Sequence, residues 1–219
     1  QSSIMKKLLI IGMILFGTQA TFAQQDVKAK AVLDKLSAKA KTFKTISATF
    51  MYELNNPTAD INEKQEGSLI SKGEKYNLNI AGQNVISDGK TKWTYIADAE
   101  EVQIDDATTE GEEALNPSKI LTIYEDGFKY KYDKDITENG RAIQVVKLFP
   151  EQADDKPYHS ALLYVDKVKN EVTKIELKGK DGSNYIYTIT SFEVNKEIPD
   201  SKFVFNTAKH PEVEVIDLR

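Results

Sequence analysis

The stretch Ile46-Ser47-Ala48-Thr49-Phe50-Met51-Tyr52-Glu53-Leu54 decides the fold class. Ile46, Ala48, Phe50, Tyr52 and Leu54 fall on one side of an extended chain, and Ser47, Thr49, Met51 and Glu53 on the other. That two-residue period belongs to a half-buried strand. Asn55-Asn56-Pro57 ends it, since proline offers the ladder no N–H. The same period returns downstream. Leu69 lies between Gly67 and Ser71; Tyr76, Leu78 and Ile80 alternate with polar residues; Phe128, Tyr130 and Tyr132 alternate with lysines. Asp88-Gly89, Asn139-Gly140, Lys169-Asn170 and Asp181-Gly182 separate paired runs, as hairpin turns do. In the first of these hairpins Thr91, Trp93 and Tyr95 share one face of the second arm. A last strand is expected around Phe203–Phe205.

Two segments follow a different period. Residues 26–43 carry Ala29, Val32, Leu33, Leu36, Ala40 and Phe43 at spacings of three and four, with Asp26 placed to cap a helix and lysines on the other side. After an acidic loop at 105–113, Asn116-Pro117 reads as a cap and first-turn pair. Ile120, Leu121, Ile123 and Tyr124 follow on a short apolar helix that Gly127 stops. The expectation is a mainly β protein with helices (α+β), with about ten to eleven strands in one domain over residues 24–219.

The beginning of the chain reads as an export signal. Lys6 and Lys7 precede the apolar run Leu8 to Phe16, and small residues lead to a cleavage position near Ala23-Gln24. Residues 1–23 are accordingly set apart as upstream residues and a signal peptide. The run falls short of the roughly 20 residues a membrane span needs, which disfavours the alternative of a signal anchor. Cysteine is absent, so neither a thiol nucleophile nor a lipid-attachment cysteine is available, and the core must hold without disulfides. The formal net charge of −5 argues against a nucleic-acid partner. The expected compartment is the periplasm.

Signatures of chemistry are sparse. His159 and His210 stand far apart, each without a second ligand at metal spacing. Gly89-Lys90-Thr91 resembles the end of a phosphate loop, but Asn84 occupies the position of its first glycine, and the hairpin reading prevails. The 105–113 loop lacks the alternating carboxylates of a calcium loop. No catalytic residue, metal site or cofactor is expected, and the chain is read as a non-enzyme.

Against this background one run stands out: Ser87-Asp88-Gly89-Lys90-Thr91-Lys92-Trp93-Thr94-Tyr95. With Ala48-Thr49-Phe50 after the first helix, Gly67-Ser68-Leu69, the Val165-Asp166 hairpin and Phe203-Val204-Phe205, it resembles the outer-membrane lipoprotein carrier family, the LolA-like proteins. The resemblance implies a half-closed antiparallel β-barrel with a helical lid over a hydrophobic cavity. In that family the cavity takes the acyl chains of lipoproteins released at the inner membrane and delivers them to the outer membrane. The partners so implied are an acylated lipoprotein cargo, an inner-membrane releasing transporter and an outer-membrane acceptor, with the carrier itself a monomer. Candidate cavity residues are Phe50, Tyr52, Leu69, Tyr76, Leu78, Trp93, Tyr95, Ile120, Leu121, Tyr124, Phe128 and Tyr130, the last helix serving as a mobile cover. One departure is plain. Where the best-known members carry arginine and proline after the Gly-x-Leu strand, this chain has Lys72-Gly73, and lysine is a weaker, non-planar donor. Two other readings are kept: a lipoprotein sensor or scaffold on the same fold, and a lipid- or glycan-modifying enzyme.

Overall fold

The computed structural model describes residues 26–107 and 127–219. A helix, α1 (Val27–Ala40), precedes β1 (Thr45–Asn56), β2 (Ile61–Lys72), β3 (Lys75–Ile80), β4 (Gln83–Ser87), β5 (Thr91–Ile96) and β6 (Glu101–Asp106). The chain then continues through β7 (Phe128–Glu138), β8 (Arg141–Pro150), β9 (Tyr158–Asp166), β10 (Glu171–Gly179), β11 (Asn184–Val194) and β12 (Glu214–Asp217). All twelve of these strands form one sheet, in the order β12-β6-β5-β4-β3-β2-β1-β11-β10-β9-β8-β7. Two meanders, β1 to β6 and β7 to β11, thus join where β1 pairs antiparallel with β11. A register shift between Thr49 and Phe50 marks a bulge there, which adds local twist.

The end strands β12 and β7 do not meet, so the curved sheet stays unclosed. This is a mainly β fold with one helix among the described residues. The short helix expected after Pro117 lies outside the described residues. Two details of the strand reading are corrected. Phe203 ends a 3-10 turn, Asp200–Phe203, instead of opening a strand. Phe203 and Phe205 are buried while Val204, extended after the 3-10 turn, is exposed. The last strand is β12, parallel to β6, a four-residue piece with charged ends that the alternation did not single out.

Helix α1 forms where its period and cap agree. The Asp26 carboxylate accepts hydrogen bonds from the backbone N–H of Lys28 and Ala29, both at 3.0 Å. Its second oxygen accepts from the Tyr132 N–H of β7 at 2.8 Å, tying the helix start to an end strand. Ala29, Val32, Leu33 and Leu36 are buried against Val146, Leu148, Ala161, Leu163, Val165, Val172 and Ile175 of β8, β9 and β10. The helix therefore covers only one half of one face of the sheet. The other half of that face, over β1 to β3, carries the candidate site.

Candidate functional site

Registers across β1 to β6 place side chains in rows. Ala48, Leu69, Leu78, Val85 and Thr94 are directly opposite one another in turn, and so share a face. The same pairing carries that face the other way, from Tyr52 to Tyr187, Ile175, Leu163 and Val146 beneath the helix. The apolar bed of β1 to β3 is therefore continuous with the core under α1, and Tyr187 packs against both clusters.

Phe50, Tyr52 and Leu69 are buried at the centre of this bed. Around them Leu54, Tyr76, Leu78, Ile80, Tyr185, Tyr187 and Ile189 are only half-buried, although they pack on the same cluster. Tyr187 holds the aromatics together, its ring 5.3 Å from that of Tyr52 and 6.0 Å from that of Phe50, both tilted. Burial pushes the Tyr187 phenol well above the usual tyrosine range, with the Tyr52 and Tyr185 phenols adding to it. Burial likewise raises Tyr52. Both shifts report a poorly hydrated surface. Toward one end the face turns polar: Ser71, Tyr76, Ser87 and Lys92 follow in one row, and the Lys92 ammonium lies 3.6 Å from the Asp105 carboxylate.

Gly67 shapes the bed. A methyl group built on it would run into the Phe50 ring and reach 3.0 Å from the Asn79 carbonyl oxygen. The Gly-x-Leu pattern thus has a steric cause: β2 needs a residue without a side chain where the Phe50 ring crosses it.

The twelve candidate residues divide into four groups. Phe50, Tyr52, Leu69, Tyr76 and Leu78 come together in the bed. Phe128 and Tyr130 share its face but pack against the helix-covered cluster. Ile120, Leu121 and Tyr124 lie outside the described residues. Trp93 and Tyr95 are on the opposite face, and their assignment to the same hollow as Phe50 is corrected. Trp93 is opposite Ile86, then Asn77, Ile70 and Ser47 across successive strands, the set that excludes Phe50. With Ile86 and Val102 they pack against Phe205 and Val213 of the C-terminal segment. His210 completes that cluster, its ring 5.0 Å from Phe205 and 4.8 Å from Tyr95.

The Ser87–Tyr95 motif therefore has a structural role. The Ser87 hydroxyl oxygen accepts the Gly89 N–H at 3.1 Å, and the Asp88 carboxylate accepts those of Lys90 and Thr91, both at 2.8 Å. Gly89 takes a positive φ of 91°, which suits a residue without a Cβ. Lys72 also serves the opposite face. Its ammonium donates to the Asp200 carboxylate at 2.8 Å and the Ile198 carbonyl at 3.3 Å, fastening the C-terminal segment. Sequence reasoning missed Leu54, Ile80, Tyr185, Tyr187 and Ile189. The first two continue alternations already recognised. In β11 both parities are apolar or β-branched, so no face was distinguished.

A family model matches this chain, and one solved structure shares its fold. The family model described as outer membrane lipoprotein carrier protein LolA matches residues 41–206. No curated protein matches the chain. Among solved structures, an uncharacterized conserved protein from Thermus thermophilus superposes with a TM-score of 0.57 at 8% identity, covering 87% of this chain and 99% of that one. A LolA superfamily protein from Nitrosomonas europaea gives 0.44 at 12% identity, covering 81% and 97%. The lipoprotein LppX of Mycobacterium tuberculosis gives 0.45 at 8% identity, covering 78% and 99%. With its sheet built around β1 and the family model spanning most of its length, the chain belongs to the LolA family of outer membrane lipoprotein carrier proteins.

Proposed function

We propose that the chain is a periplasmic carrier that holds the acyl chains of lipoproteins on the bed of β1 to β3 and shuttles them from the inner to the outer membrane. The observation that supports this reading is the half-buried state of Leu54, Tyr76, Leu78, Ile80, Tyr185 and Ile189. These side chains extend a core yet remain partly exposed. Hydrocarbon gains about 0.8 kcal/mol per methylene on leaving water, so a contiguous apolar surface is what such cargo requires. A carrier must also release its load, which an open sheet with a partial cover permits better than a sealed barrel. The polar row ending at Lys92 and Asp105 would face the cargo's headgroup side.

In this reading the chain is exported with cleavage near Ala23-Gln24 and acts as a monomer between a releasing transporter and an outer-membrane acceptor. Binding and release alone account for this task, and no chemical step is assigned. The test mixes the purified chain with a triacylated lipopeptide in detergent-free buffer. A soluble one-to-one complex is expected, whereas precipitation of the lipopeptide at the rate seen without protein would refute the carrier role.

A further inference from the structure

Segment 26–44, comprising α1 and its flanks, carries six lysines against two aspartates, in a chain whose formal net charge is −5. At 100° per residue, Lys28, Lys35 and Lys39 line one flank of α1, and Lys30 and Lys41 the other. Between these rows the outward crest is Val27, Ala31, Asp34 and Ala38, all exposed. Beside the first flank lies the turn between β9 and β10. The Lys39 ammonium donates to its Lys169 carbonyl at 2.6 Å and pairs with Glu171 at 2.8 Å. At the other end of α1, Lys28 pairs with Asp135 at 3.1 Å, which Lys167 also approaches at 3.9 Å.

The turn itself is built to present its tip. Asp166 is buried, and its carboxylate accepts the N–H groups of Val168 and Lys169 at 2.9 and 2.8 Å. Val168 is consequently held out between Lys167 and Lys169, 83% exposed, and Val27 at the helix start is 75% exposed. Each of these aliphatic side chains has lysine next to it in sequence, and together they bracket the basic helix. Besides Asp26, whose carboxylate is taken up by the Lys28, Ala29 and Tyr132 N–H groups, the carboxylates on this side are Asp34, Asp135, Asp166 and Glu171. Asp166 points inward, and the other three each pair with a lysine of the same surface.

Lysines around isolated aliphatic anchors suit the boundary of an anionic bilayer, where the ammonium groups meet phosphates and short apolar side chains enter the acyl edge. We propose that the outward side of α1, together with the Lys167–Lys169 turn, docks on an anionic lipid bilayer surface. The docking face adjoins the half of the sheet that carries the candidate site, since α1 covers the neighbouring half of the same face.

The experiment is co-sedimentation of the purified chain with phosphatidylcholine vesicles, with or without one third phosphatidylglycerol. Binding to the anionic vesicles alone is expected, and it should fall as salt is raised. The triple variant Lys35→Gln, Lys167→Gln, Lys169→Gln should bind about 100-fold more weakly, at roughly fivefold per lysine. Val168→Ser should weaken binding about tenfold. Far-UV circular dichroism establishes that the variants fold. Equal sedimentation with neutral vesicles, unchanged binding by the folded triple variant, or no vesicle binding (as for a face that meets an acidic protein) would each overturn the proposal. The measurement uses bilayers without lipopeptide, so it stands or falls separately from acyl-chain binding.

Discussion

Phe50 on β1 lies against Gly67 on β2 so closely that no side chain fits between them. The two residues are paired across the ladder, and the contact lets an aromatic ring lie low in the apolar bed instead of standing above it. Gly67→Val should therefore displace Phe50 and destabilise the chain by about 1–3 kcal/mol, the usual cost of overpacking. Urea unfolding would measure it. The double change Gly67→Val with Phe50→Ala should recover part of the loss, since the pair is coupled.

The two faces of the sheet should separate in mutagenesis. Leu78→Glu places a charge on the half-buried part of the bed and should lower lipopeptide affinity by roughly ten- to a hundredfold, the share of one leucine side chain. Trp93→Ala, on the opposite face, should cost about 2–4 kcal/mol in stability, because the C-terminal segment packs on it. The folded fraction should nonetheless retain lipopeptide as the parent does. Paired equilibrium-binding and unfolding experiments check both.

Acid should weaken the helix anchor. Hydrogen bonds from the Ala29 and Tyr132 N–H groups hold the Asp26 carboxyl below its ordinary value. A depressed folded value means that the stabilisation is complete above the unfolded carboxylate range, near pH 4, and is lost as pH falls through the folded value. Asp26→Asn should reduce the acid-dependent part of the unfolding midpoint between about pH 5 and pH 2. Midpoints for parent and variant across that interval measure the effect.

Alkali should act through the tyrosines. Burial, followed by the Glu176 charge, raises the Tyr164 phenol to about 12, and burial raises Tyr187 further. Raised folded values mean full stabilisation below the unfolded tyrosine range, near pH 10, and loss above it. Absorbance titration at alkaline pH should show tyrosines that ionise only as the fold is lost, and Tyr187→Phe should remove one of them.

How much of this was legible in the sequence varies with the physics involved. Helix α1 was legible because period, cap and buried stripe agree locally: Asp26, Ala29, Val32 and Leu36 all play the expected parts. The Asp88-Gly89 and Asn139-Gly140 turns were legible because turn chemistry is local. The face of Trp93 was not. Alternation shows that Trp93 and Tyr95 share a side, but which side they share with Phe50 depends on registers accumulated over β1 to β5 and on the C-terminal segment that covers them. Lys72 was hidden for the same reason, since its partner Asp200 lies 128 residues away. Tyr187 was obscured by its neighbours, Ile186 and Thr188, which suit a strand equally well on the other face.

The most direct measurement is photo-crosslinking with a triacylated lipopeptide carrying a diazirine in one acyl chain, followed by mass-spectrometric mapping of the labelled residues. The account predicts labels on Leu54, Leu78, Ile80, Tyr185 or Ile189, with excess unlabelled lipopeptide suppressing them. Labels confined to the opposite face around Trp93 and Phe205, or labelling that unlabelled lipopeptide leaves unchanged, would contradict it.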